Sequence, residues 1–273
     1  MKILITGSSG FLGSSLSTFL YKKGINCISI SRRDFKGSKK VENYRHTPDA
    51  DIIIHLAQCN DRNYVNNQNS DYVKENLEIM KCLVNKNYKK FIYISSASVY
   101  GDKNKFPRKT TDITTPYDTY SVIKKSCENI VLQKKGFILR LSNIYGHGMS
   151  NKNVMSKIIK KVSNKELITL DNGCSVRDFI WIEDVFEAIL KIIELDVDNY
   201  IYNIGSGIGV SIKELASCIQ LVYRTNLPII FKNKEEFLSS IVLDISDTKE
   251  KLEWEPRVSL EKGISYIMNF NQA

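Results

Sequence analysis

The chain opens on MKILITGSSGFLG, and that order of residues restricts the fold more than any other stretch. Residues 2–6 (KILIT) are a short apolar run, which predicts a buried strand. Gly7, Gly10 and Gly13 follow at spacing three, and residues 14–21 continue with helical periodicity, so the segment reads as strand, tight turn, helix. Glycine admits backbone angles that side chains resist and lets the main chain approach a ligand closely. The helix beyond aims free N–H groups and its positive dipole end at the turn, which suits a diphosphate. The spacing is GxxGxxG, not the GxGxxG of the common dinucleotide fingerprint, so taken alone it is also compatible with a strand-to-helix turn that binds nothing.

With 273 residues, 42% of them hydrophobic, there is material for one large domain or a domain with a smaller companion. No apolar run approaches the ~20 residues of a membrane span, and the N-terminus lacks the basic region and cleavage site of a signal peptide. These features predict a cytoplasmic protein with no membrane partner. Cys27, Cys59, Cys82, Cys127, Cys174 and Cys218 stand singly, and the three histidines are dispersed, so reduced thiols and no metal site are expected. The net charge of +9 is spread along the chain instead of forming a stripe with interleaved aromatics. Nucleic acid is therefore not an expected partner, while a polyanionic small substrate or cofactor is.

Residues 22–24 (KKG) stop the first helix, and 25–31 (INCISIS) alternate like a strand. At its end, where an acidic residue would bond the ribose hydroxyls of NAD, the chain has Ser31, Arg32 and Arg33 before Asp34. Arginine there accommodates a 2′-phosphate, so NADP is favoured, with NAD the alternative. Residues 51–57 (DIIIHLA) and 91–95 (FIYIS) are further strands, apolar throughout as in a parallel sheet covered on both faces. Residues 71–85 read as a helix with Leu77, Met80 and Leu83 on its apolar side. This alternation predicts an α/β fold with a doubly wound parallel sheet, whose ligands lie outside the carboxyl ends of the strands. A helix from Tyr120 after Pro116 places Tyr120 and Lys124 on one face. An ammonium beside a phenol favours the phenolate and should lower the tyrosine pKa from about 10.

With these residues assembled, the chain resembles the extended short-chain dehydrogenase/reductase superfamily, in its nucleotide-sugar branch, the NAD-dependent epimerase/dehydratase family. The matching segments run along nearly the whole chain: TGSSGFLG at 6–13, HLAQ at 55–58 with glutamine for the last alanine, SSASVYG at 95–101, Tyr120-x-x-x-Lys124, RLSNIYG at 140–146, RDFIWIEDV at 177–185, and Trp254-Glu255-Pro256. The resemblance implies a Rossmann-like cofactor domain from residues 1–143 plus about 178–204, and a smaller substrate-capping domain interleaved with it, from about 144–177 and 205–273. It implies a catalytic triad of Ser96, Tyr120 and Lys124. Cofactor contacts would come from Gly7, Gly10, Phe11, Leu12, Gly13, Ser31, Arg32, Arg33, Leu56, Ala57, Gln58, Asn76, Tyr120 and Lys124. Substrate contacts would come from Ser98, Asn143 and Arg177, with Arg177 meeting the nucleotide diphosphate.

Family dehydratases carry an Asp-Glu pair directly after the catalytic threonine, whereas this chain has Ala97-Ser98, which disfavours 4,6-dehydration. The leading expectation is an NADP-dependent reductase of a nucleotide-linked 4-keto (6-deoxy) sugar, feeding surface polysaccharide synthesis. A nucleotide-sugar 4-epimerase with retained NAD(P) is the alternative, and a redox-inactive nucleotide-binding sensor the third. Family members often place an arginine shortly before the aspartate matched by Asp244. Residues 237–243 hold none, leaving Lys232 or Lys234 as substitutes for a second phosphate contact. By resemblance, a homodimer would pair through residues 71–85 and 121–133 as a four-helix bundle.

Overall fold

The computed structural model describes residues 1–103, 106–196, 200–232 and 239–272. The opening strand is β1 (Ile3–Thr6), followed by helix α1 (Phe11–Lys22) and strand β2 (Cys27–Ser31). Next come β3 (Lys39–Lys40), β4 (Ile52–His55), the short helix α2 (Arg62–Asn66), α3 (Ser70–Val84) and β5 (Lys90–Ser96). Helix α4 (Thr119–Gln133) and strand β6 (Phe137–Leu141) complete this half. Among the described residues, one sheet has seven strands in the order β3-β2-β1-β4-β5-β6-β10, the last being Ile201–Ile204, and all its pairings are parallel. It is a Rossmann-like doubly wound sheet, as the alternation of apolar runs and amphipathic helices predicted.

The unbroken apolar character of the strands follows from burial on both faces. Ile3, Ile5, Ile52, Ile54, Ile92 and Ile94 face one layer, which includes Leu16 and Leu20 of α1 and Val185, Ile189 and Ile193 of a later helix, α6 (Ile182–Glu194). Leu4, Ile53, Phe91, Tyr93 and Ile138 face the other, against Met80 and Leu83 of α3 and Ile123, Cys127 and Val131 of α4. Successive residues of a strand point to opposite faces, so Ile3-Leu4-Ile5 serves both layers.

From β1 the chain winds outward through β2 and β3, then returns to the other side of β1 as β4. The reversal opens a crevice between β1 and β4 at their carboxyl ends, the place where such sheets bind ligands. The glycine turn stands over it.

After β6 the chain adds smaller elements: β7 (Asn143–Tyr145), α5 (Val154–Ser163), β8 (Ile168–Leu170), β9 (Val176–Trp181), β11 (Gly209–Ser211), α7 (Ile212–Val222), β12 (Ile229–Phe231), β13 (Ser240–Ile241), α8 (Ser246–Leu252) and α9 (Leu260–Gln272). Strand β9 pairs with β7, β11 and β13, and β12 with β8. Buried carboxylates tie these segments together. Asp178 accepts from the N–H groups of Ser206, Gly207 and Leu243, and Asp184 from those of Arg257 and Val258. No helix among the described residues is long and apolar enough to cross a membrane.

Candidate active site

The turn after β1 is as tight as its glycines predicted. Gly7 has φ +74°, and a Cβ there would sit 2.8 Å from the Ala57 Cα; a Cβ on Gly13 would sit 2.3 Å from the Gly7 carbonyl oxygen. These glycines therefore let β1, α1 and the segment after β4 close on one another. Gly10 is the N-cap of α1 and offers no side chain to cap it, and the first turn carries no acidic residue. The amide donors of Phe11, Leu12 and Gly13 thus begin a helix whose positive end is unneutralised by its own chain, which fits a dinucleotide diphosphate.

At the end of β2, Ser31 is buried and donates to Ser9 at 2.6 Å while accepting from the Arg33 N–H at 3.0 Å. Arg32 and Arg33 are exposed, and the Arg32 guanidinium lies 5.7 Å from the Tyr44 ring centroid. Lys39 and Lys40 pair alongside Ile30 and Ser31. This corner is basic, with no carboxylate at the position of Ser31.

The second half of the site lies around the carboxyl ends of β4 and β5. His55 is buried with Nδ1 2.8 Å from Thr6 Oγ1, and burial, helped by the nearby Lys124 charge, pushes it down to about 3, so the ring is neutral. Gln58, Cys59, Val65, Tyr72, Asn76, Tyr120, Ile123 and Lys124 line one cleft, which unites four of the predicted residues. Gln58 spends its side chain on the wall: its Oε1 accepts from Tyr93 at 2.6 Å and its Nε2 donates to Cys127 Sγ at 3.4 Å. Asn76 donates to the Tyr72 carbonyl at 2.9 Å.

Tyr120 stands in the first turn of α4, whose N-cap Asp118 forms a reciprocal box with Ser121. Lys124, one turn on, donates to the Ile94 carbonyl at 2.8 Å and lies 5.8 Å from the Tyr120 ring centroid. Burial pushes its ammonium down to about 8. One expectation is corrected here: the Tyr120 phenol is raised above 10, not lowered. Burial is the largest cause; Ser96 and Arg62 ease ionisation, and the Asp118 carboxylate opposes it. Lys124 is turned toward a carbonyl of β5 instead of the hydroxyl, so desolvation wins.

Ser96 Oγ accepts from the Ser98 N–H at 3.2 Å. The Ser98 hydroxyl is buried and has no hydrogen-bond partner among the described residues, a polar group left for something else to satisfy. Ala97, beside it, is buried, and with Ala97-Ser98 following Ser96 no carboxylate stands there. Asn143 is exposed on β7, just beyond β6. Arg177 is half-buried and already engaged: Nη1 donates to the carbonyls of Val176 and Ser239, and Nη2 to the Ser239 hydroxyl at 2.8 Å. Burial, with the nearby Arg62 charge, lowers its guanidinium below the usual arginine value, against the opposing effect of Tyr117 and Asp102. Lys232 is exposed and pairs with Asp171 at 3.6 Å; Lys234 lies outside the described residues.

Arg62 and Asn66 were not anticipated. They sit on a helix of five residues, too short for any periodicity, and the only local signal is Asp61, whose side chain caps it. Both reach the first turn of α4. The Tyr120 N–H donates to Asn66 Oδ1 at 3.1 Å, and the Arg62 fork holds the Asp118 carboxylate.

The glycine turn stands at the sheet reversal and packs on Ala57, next to Gln58, which lines the cleft with Tyr120 and Lys124; a basic corner lies at the end of β2. Residues 3–205 match the model of the NAD dependent epimerase/dehydratase family, and the chain belongs to that family of enzymes. A putative UDP-glucose 4-epimerase of Methanocaldococcus jannaschii is 29% identical, over 98% of this chain and 97% of its own. A dTDP-4-dehydro-6-deoxyglucose reductase of Escherichia coli is 26% identical, over 97% of this chain and 96% of its own. The crystal structure of UDP-glucose 4-epimerase with UDP-glucose from Thermotoga maritima aligns with a TM-score of 0.84 at 25% identity, covering 100% of this chain and 99% of that one.

Proposed function

We propose that the chain is an NADP-dependent reductase of a nucleotide-linked 4-keto, 6-deoxy sugar. The observation that carries the proposal is the convergence of Tyr120, Lys124 and Asn76 on one cleft beside a glycine turn, with a basic corner and no carboxylate at the end of β2. When bound, the nicotinamide supplies the hydride. The amides of Phe11, Leu12 and Gly13, with Gly7 and Gly10 clearing the way, would hold its diphosphate. Arg32 and Arg33, with the Ser31 hydroxyl between them and the turn, would hold a 2′-phosphate on the adenosine ribose. Leu56, Ala57, Gln58 and Asn76 would border the path toward the nicotinamide.

On the substrate side, Tyr120 Oη gives its proton to the carbonyl oxygen at C4 as negative charge develops there. Ser96 donates a hydrogen bond to the same oxygen, and Lys124 would hold the cofactor ribose. The raised phenol suits this direction, since the tyrosine stays protonated until an oxyanion demands its proton. The Ser98 hydroxyl and Asn143 would meet the sugar, and Arg177 the diphosphate, after exchanging one of its bonds to Ser239. Ala97 and Ser98 supply no acid or base for elimination, which leaves dehydration without a proton donor in that place.

A 4-epimerase that retains its cofactor is the second reading, favoured by the 29% identical relative that carries that name. Incubation with NADPH and dTDP-4-dehydro-6-deoxyglucose, and separately with UDP-glucose and no added cofactor, decides between them. Stoichiometric loss of NADPH in the first supports the reductase; conversion of UDP-glucose to its C4 epimer in the second replaces it by the epimerase. A cytoplasmic site of action, and a homodimer formed by α3 and α4, are part of the same proposal; a monomer in sedimentation would remove the dimer.

A further inference from the structure

We propose that Arg62 is a positioning residue of this site: from α2 it braces the first turn of the helix that carries Tyr120 and holds a positive charge against the face of the Tyr120 ring. The inference rests on the proposed role of Tyr120 in proton transfer, and adds a residue to it.

The geometry has two parts. The first is mechanical. Arg62 Nε donates to Asp118 Oδ2 at 3.1 Å, its Nη2 donates to the same oxygen, and Nη2 also donates to the Tyr117 hydroxyl at 2.9 Å. Asn66, one turn along α2, donates to that carboxylate at 3.1 Å and accepts from the Tyr120 N–H at 3.1 Å. The first turn of a helix leaves its amides without intrahelical partners. Here Asp118 satisfies that of Ser121 and a residue of another helix satisfies that of Tyr120, so α2 fixes where the phenol begins.

The second part is electrostatic. The Arg62 guanidinium carbon lies 5.6 Å from the Tyr120 ring centroid and 5.4 Å from that of Tyr117. Among the described residues, the charged and titratable groups facing the phenol are Arg62 from α2, Tyr72 from α3, Lys124 from the same helix, the Asp118 carboxylate at its cap, Cys59 after β4, and Tyr93 from β5. Lys124 is occupied by the Ile94 carbonyl, so Arg62 and Asp118 act on the phenol with opposite signs as a matched pair. Burial works against the Asp118 charge, yet the bonds from Ser121, Arg62 and Asn66 hold its carboxyl down at about 2. Removing Arg62 takes a positive charge from the ring and also unmasks a negative one.

The pair predicts displacements of opposite sign, which loss of packing does not imitate. Protein labelled with carbon-13 at the tyrosine Cζ is titrated by NMR, with Tyr120→Phe assigning the resonance. Arg62→Gln is expected to move the Tyr120 midpoint up by about one pH unit, Asp118→Asn to move it down, and Arg62→Lys, which keeps the charge, to leave it near wild type. Asparagine remains a good N-cap, so the helix start survives in Asp118→Asn. If Arg62→Gln fails to fold, the comparison of Arg62→Lys with Asp118→Asn carries the test. Coincident midpoints in wild type and Arg62→Gln, or movement of the two charge-removing variants in one direction, overturn the proposal. Retained turnover in Tyr120→Phe would instead remove the proton-transfer role while leaving the titration result intact.

Discussion

His55 is buried at the end of β4, beside Thr6 of β1, and its neutral ring makes the fold acid-sensitive. Its folded value of about 3 lies below the 6.5 of an exposed histidine, so the unfolded chain takes up the proton first. Stability is full above about 6.5 and is lost as pH falls toward 3, at up to about 1.4 kcal/mol per pH unit. Thermal melts across that window should show the loss, and His55→Asn should flatten it; an unchanged slope in the variant would assign the acid sensitivity elsewhere. Gly13 is equally exposed to test. A methyl group there meets the Gly7 carbonyl, so Gly13→Ala should lower the melting temperature and weaken dinucleotide binding together, as measured by calorimetry. The glycines and the Tyr120/Lys124 pair were legible in the sequence because their meaning is local. The direction of the phenol's shift was not, because it depends on how deeply α4 is packed and on where Lys124 turns.

At the scale of elements, α4 is held by charge at its N-terminus, through Asp118, and again along its length. Near its middle Glu128, fully buried, receives two bonds from Arg140 of β6, at 3.0 and 2.8 Å, and one from Ser95 at 2.6 Å. Arg140 continues to Tyr100, which donates to Asn203 of β10. Breaking such a pair leaves a buried guanidinium uncompensated, so Glu128→Gln should cost about 3–5 kcal/mol in chemical denaturation. A loss below 1 kcal/mol would show the network to be dispensable. Strands β1, β2, β4 and β5, helices α1 and α3 and the start of α4 could be read from the chain to within a few residues, from apolar runs and helical spacing; β3, a pair of lysines, carries no such signal. Helix α2 could not, and neither could β7, β9, β11 and β13, whose pairings join residues far apart in sequence.

For the whole molecule, the sheet reversal puts the glycine turn, a basic corner and the half-buried Tyr120 at the carboxyl ends of the strands. If Arg32 and Arg33 hold a 2′-phosphate, replacing both by alanine should weaken NADPH about tenfold or more while leaving NADH nearly unchanged. Equal losses for both cofactors in equilibrium binding would show that the arginines do not meet a 2′-phosphate. The family was legible because its motifs fall at the ends of strands in chain order, and strand ends are where this topology puts chemistry. The choice of reaction was not, since reductase and epimerase share the same proton-transfer group and differ in whether the cofactor leaves. The most direct test follows NADPH absorbance after adding dTDP-4-dehydro-6-deoxyglucose to the wild-type protein and to Tyr120→Phe. One NADPH consumed per sugar by the wild type, and a rate lower by about 10²–10⁴-fold in the variant, is the predicted result. Equal rates in the two proteins, or no NADPH consumed by a wild type that interconverts UDP-glucose and its C4 epimer, would contradict it.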